Sequence, residues 1–118
     1  MCMKKHVYLE LLDADFVFVI CPHDKIKETL KGMLKADRMA EFEEKLSQSK
    51  ISAQVRGKQI PMSGGGSVVW LKKMDKPTLL HECVHAANFL LMDRGIPHTE
   101  DTEEIYAYLI TWLYNKAI

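Results

Sequence analysis

Between Pro77 and Met92 the chain reads PTLLHECVHAANFLLM, a stretch whose only formal charge is Glu82 and whose apolar residues fall on every side of a helical wheel. A helix apolar all round is a buried helix, so the spacing predicts that the domain folds around this segment. Inside it stands His81-Glu82-Cys83-Val84-His85, an H-E-x-x-H pattern. At ~100° per residue, His81 and His85 lie ~40° apart and about one turn along the helix, so their imidazoles can hold one metal ion. Zinc suits two neutral imidazoles plus one carboxylate and keeps a fourth position for water. Glu82, next to the first histidine, is close enough to take a proton from that water. A carboxylate and two histidines in a buried helix are costly without partners, and one bound cation would satisfy all three. The competing reading is a hydrogen-bonded pair of core histidines.

A third ligand is expected from elsewhere, and His98-Thr99-Glu100-Asp101-Thr102-Glu103-Glu104 offers several. From Asp101 to Tyr114 the apolar stripe is Ile105, Tyr108, Leu109, Trp112 and Leu113. Glu104 lies on the border of that stripe, one turn before Tyr108, whereas Glu103 points away from it. Glu104 is therefore the expected ligand, with Asp101 and His98 as substitutes. The alternative for Glu104 is a capping box in which Asp101 starts the helix and Glu104 answers it three positions later.

HECVH followed after eighteen residues by Glu104 in TEEIYAYL resembles the gluzincin metallopeptidases, and especially the minimal single-domain gluzincin-like proteins of microbes and phages. In the latter, a later helix of E-x-x-A-Y type follows the first motif, and Glu104, Ala107 and Tyr108 occupy those positions. The match covers about residues 66 to 118. It implies zinc at His81, His85 and Glu104, with Glu82 as general base. It also implies that the strand before the motif helix, Ser67 to Leu71, is the edge strand that pairs with an extended substrate. Read without the resemblance, that strand is an ordinary core strand with Trp70 packed inward. Two related patterns fail: Asn88 and Leu91 stand where a metzincin would need Gly and His, and no aspzincin G-T-x-D motif is present.

A length of 118 residues with 47% hydrophobic and 27% charged content predicts a single domain spanning 1 to 118. Zero formal net charge argues against nucleic acid or an anionic membrane as partner. The charge is unevenly spread: residues 1 to 76 hold 14 Lys and Arg against 10 Asp and Glu, and residues 77 to 118 hold 2 against 6. Cysteines at 2, 21 and 83 make no disulfide framework, and a cytoplasmic location is expected, with no signal peptide in MCMKKHVYLELLDAD.

His6 to Leu12 and Phe16 to Cys21 read as a hairpin broken at Asp13-Ala14-Asp15. Asp24 can cap a helix through Ile26, Leu30, Met33 and Leu34, followed after a bend at Lys35-Ala36-Asp37 by a second from Arg38 to Gln48. Ile51 to Arg56 and Ser67 to Lys72 read as short strands, separated by Pro61 and the flexible Gly64-Gly65-Gly66 segment. That triplet lacks the Gly-Lys-Ser/Thr of a phosphate loop. Gly95 and Pro97 end the motif helix. The expected fold is α+β: a small zincin-like domain with a short mixed or antiparallel sheet packed on helices and the metal between two C-terminal helices.

Zinc-dependent hydrolysis of a peptide bond in an intracellular protein is the expected function. An oxyanion donor would complete the site, from Tyr108, Tyr106, His98 or His23, with Tyr108 the leading candidate. Cys21-Pro22-His23 is better read as a strand-ending turn than as a second metal pair. The rival functions are a non-catalytic zinc-containing binding or regulatory protein, and a domain stapled by structural zinc.

Overall fold

The computed structural model describes residues 2–49, 51–52 and 54–118. It is an α+β fold built on a four-stranded mixed sheet in the order β1-β2-β4-β3. The strands are β1 (Met3–Leu9), β2 (Ala14–Ile20), β3 (Gly57–Pro61) and β4 (Ser67–Leu71). The helices are α1 (Ile26–Leu30), α2 (Ala36–Gln48), α3 (Lys76–Asp93) and α4 (Glu103–Ala117). No helix among the described residues is long and apolar enough to cross a membrane.

β1 and β2 form the expected antiparallel hairpin, shifted toward the N-terminus. Glu10 to Leu12 make a 3-10 turn instead of continuing β1, closed by Asp13 in the left-handed region at φ 47° and by the bond from Asp13 N to Glu10 O. The central strands β2 and β4 run parallel, Phe16 opposite Ser67 and Ile20 opposite Leu71. Every residue of β4 is buried, as expected of a strand covered on both faces. The expectation that Ser67–Leu71 is an edge strand is therefore corrected: it pairs with β2 on one side and β3 on the other. Trp70 packs inward and donates its indole N–H to Cys21 O at 2.9 Å.

The edge strand on that side of the sheet is β3, as β1 is on the other. It begins where the strand read at Ile51 to Arg56 was expected to end, a stretch in which Ala53 lies outside the described residues and the others form no strand. Pro61 closes β3 opposite Ser67, a place open to proline because an edge strand leaves one side of its backbone unpaired. The glycine segment is a hydrogen-bonded turn, with Met62 N bonded to Gly66 O and Gly65 N to Met62 O. Gly66 is required sterically, since a Cβ there would lie 2.0 Å from Asp15 O.

Two cores flank the sheet. On one face Phe16, Phe18, Val69 and Leu71 meet α3 and α4 through Leu79, Cys83, Leu90, Tyr106, Leu109 and Leu113. On the other, Val17, Val19, Val68 and Trp70 meet Ile26, Leu30 and Phe42 of α1 and α2. α1 stops at Leu30, before the Met33 and Leu34 turn read as helical, and Gly32 follows at φ 88°. Arg94 ties three loops together, its guanidinium donating to Leu12 O at 2.7 Å and Gly64 O at 2.8 Å.

Candidate metal centre

α3 starts with Lys76 and Pro77 in its first turn, where a missing N–H costs nothing, and Thr78 donates to the Asp75 carboxylate ahead of it. Its buried residues are Leu79, Glu82, Cys83, Ala86, Ala87, Leu90 and Leu91. Burial all round is not what the fold delivers, because the flank carrying His81 and His85 is exposed. Of the three only Glu82 is a buried residue, 7% exposed, and its carboxylate still opens on a cleft. Among the described residues no hydrogen bond or ion pair reaches Glu82, and the pair of histidines is in contact with itself.

The two Nε2 atoms are 3.1 Å apart, with the rings edge-on at 76° and centroids 4.8 Å apart. At zinc–nitrogen distances of about 2.0–2.1 Å, that separation corresponds to an angle of about 100° at the ion, close to tetrahedral. Two ligand positions therefore fit. Among the described residues no three His, Cys, Asp or Glu side chains come together as a metal-holding group. Glu104 stands exposed in the first turn of α4 without hydrogen bond or ion pair among the described residues. His85 leaves two further turns of α3 before the chain turns toward Glu104, which separates the two along the sequence of elements.

The other expected residues are accounted for by packing. The capping box at Asp101 does not form. Thr102 is the N-cap of α4, its hydroxyl donating to Pro97 O at 2.5 Å and receiving Thr99 N–H at 2.9 Å. Tyr106 is buried, donates to Ile96 O at 2.5 Å and is stacked by His98 at 4.4 Å. His23 packs edge-on against Trp70 at 5.9 Å. The buried face of α4 is Tyr106, Leu109 and Leu113, rotated from the stripe expected by periodicity, so Ile105 and Tyr108 remain outside. Tyr108, 73% exposed, lines an apolar groove with Leu9, Leu11, Leu12 and Trp112. That groove shares no residue with the histidine cleft.

The cleft itself is made by α3 and the edge strand. A cavity of about 330 Å³ is lined by His81, Glu82, His85, Gly57, Lys58, Gln59 and by Ser49, Ile51 and Val55. A second hollow of about 370 Å³ continues past His81 and Glu82 to Arg56, Asp75 and Thr78. Gly57 permits the close approach of β3 to α3, since a Cβ there would stand 2.8 Å from Leu71 Cδ2 and 3.0 Å from Thr78 Cγ2. These β3 residues are what sequence reasoning missed. Gly57-Lys58-Gln59-Ile60-Pro61 carries no apolar alternation that would have signalled a strand. The rim is thus drawn from the basic part of the chain, and Arg56 and Lys58 form no ion pair among the described residues.

The cysteine of the motif is chemically quiet: burial, helped by the neighbouring Glu82 charge, pushes the Cys83 thiol up to about 12. No protein-family model, no curated protein and no solved structure matches this chain.

Proposed function

We propose that the chain is a zinc-dependent peptidase whose working residues are His81, Glu82 and His85, in a minimal gluzincin-like arrangement. The observation that carries this reading is an unpartnered carboxylate, on a largely buried residue, that opens on a cleft beside two imidazole nitrogens held 3.1 Å apart. His81, His85 and Glu104 are the residues that would hold the ion, Glu104 entering on its spacing from the first motif and its free carboxylate. Zinc bound there would supply Lewis acidity, polarising the scissile carbonyl and lowering the pKa of the attacking water toward ~7.

The rest falls to the chain's own groups. Glu82 accepts the proton of the attacking water on its carboxylate and passes it to the leaving amide nitrogen. The residue is buried on the β3 side of α3 while its carboxylate opens on the cleft, where a water can reach it. The unpaired side of β3 offers main-chain N–H and C=O groups to an extended peptide, which gives affinity with little sequence choice. Arg56 and Lys58 at the rim favour a substrate with carboxylates near the bond to be cut. Tyr108, the leading candidate for the oxyanion donor, lines a groove that shares no residue with the cleft.

A second reading, a zinc-containing binding or regulatory protein without hydrolysis, is favoured by the exposed apolar stripe of Leu11, Ile105 and Tyr108, since exposed apolar patches mark partner surfaces. Cleavage of an unbiased peptide library by the native chain and by Glu82→Gln decides between them. Cleavage by the native chain alone supports the peptidase. Zinc in both chains with cleavage by neither supports the binding protein.

A further inference from the structure

Cysteines 2, 21 and 83 show no pattern along the sequence, but the sheet brings two of them together. β1 and β2 are antiparallel with Met3 opposite Ile20 and Lys4 opposite Val19. One step further along this ladder, Cys2 comes opposite Cys21. Val17, Val19 and Cys21 all belong to the core beneath α1 and α2, so alternation directs Cys2 to that same face. Residues directly opposite in an antiparallel pair have Cβ atoms ~4.5–5.5 Å apart, just beyond the ~3.5–4.5 Å of a disulfide. Cys2 is among the groups that raise the Cys21 pKa, which places the two side chains near each other. Cys2 is exposed and Cys21 buried. Cys83 lies in the other core, across the sheet.

We propose that Cys2 and Cys21 form an oxidation site, closing to a cross-strand disulfide in the presence of a low-molecular-weight disulfide while Cys83 stays reduced. The Cys2 thiolate attacks one sulfur of the oxidant, expelling one thiolate and leaving a mixed disulfide on Cys2. Cys21 then loses its proton to solvent and attacks Cys2 Sγ, forming the Cys2–Cys21 bond and expelling the second thiolate. The two protons given up by the protein thiols are matched by two thiols from the oxidant, which takes both electrons. Burial raises the Cys21 pKa, which makes the second step the slower one. Cys21 is already fixed through its N–H to Leu71 O and its carbonyl to the Trp70 indole. The bond therefore pins the start of β1 to a rigid post.

The test is incubation of the full chain with oxidised glutathione at about pH 8, followed by thiol counting in denaturant, non-reducing peptide mapping and thermal melting. The expected result is a fall from three titratable thiols to one, a linked pair of peptides holding Cys2 and Cys21, and a midpoint raised by roughly 5–15 °C that reverts with reductant. The Cys2→Ser chain should form no intrachain link and gain no thermal stability. A lasting glutathione adduct on Cys2, a disulfide-linked dimer, or a link through Cys83 would each overturn the proposal.

Discussion

Replacing Glu41 by Gln tests how the cleft's edge strand is held. Glu41 on α2 accepts Ser63 N–H and Ser63 O–H, each at 2.8 Å, and Lys45 Nζ at 2.9 Å, while Lys45 also donates to Pro61 O at 2.6 Å. This latch joins α2 to the end of β3 and the turn after it. Burial alone would raise the Glu41 pKa, but the bonds from Lys45 and Ser63 overcome it and hold the carboxyl at about 2, against an ordinary 4.5. At 1.36 kcal/mol per unit, the difference sets a ceiling of about 3 kcal/mol. The side chain is 21% exposed, and solvent screening reduces the expectation to about 1–2 kcal/mol. Glutamine keeps an acceptor oxygen of similar size, so the substitution isolates the charge.

The folded pKa is depressed, so this contribution is full above the unfolded value and disappears as pH falls through the folded one. Urea unfolding of the native chain and Glu41→Gln should differ by about 1–2 kcal/mol at pH 7, by the same amount near pH 5, and by progressively less toward pH 2. A gap that stays constant from pH 5 down to pH 2.5, or no gap at pH 7, would refute the latch.

Gly57→Ala should lower stability by about 1–3 kcal/mol in the same unfolding assay, because the added methyl meets Leu71, Thr78 and the Trp70 carbonyl. Wild-type stability would show that β3 is not pressed against α3. Glu104→Gln should weaken zinc affinity at least tenfold in a competition titration, while Glu103→Gln leaves it unchanged; equal affinity in all three chains would remove Glu104 from the ligand set. Cys83, held near 12, should react with a thiol reagent in the native chain at pH 8 only as fast as the protein unfolds, and rapid labelling would show the α3 core to be open. Charge reversal at Arg56 and Lys58 together should lower cleavage of an acidic peptide more than that of a neutral one, as read from the ratio of kcat/KM values.

What the sequence disclosed depended on how local its cause is. The hairpin of β1 and β2, the two helical stretches between the sheet halves and α3 with its histidine pair all follow from short-range periodicity, and they stand where expected within a few residues. The pairing partners of β4 do not. SVVWL reads equally as an edge or a buried strand, and only the presence of β3 beyond it decides. Pro61 hid β3, since proline is usually read as a turn, yet on an unpaired edge it can end a strand. The stripe on α4 misled for a related reason. Ile105, Tyr108 and Trp112 recur at helical spacing, but the residues fully buried are Tyr106, Leu109 and Leu113, with Trp112 partly buried against them and Ile105 and Tyr108 exposed. Periodicity reports that a face is apolar, while tertiary packing selects which part of it is covered. The Cys2 and Cys21 juxtaposition was invisible for the same reason, because it arises from strand register and not from spacing.

The most direct test is calorimetric titration of the metal-free chain with zinc, beside His85→Ala. One zinc per native chain, proton release on binding, and affinity reduced by orders of magnitude in the variant are expected. Equal binding by the two chains, or none by the native protein, would contradict that expectation.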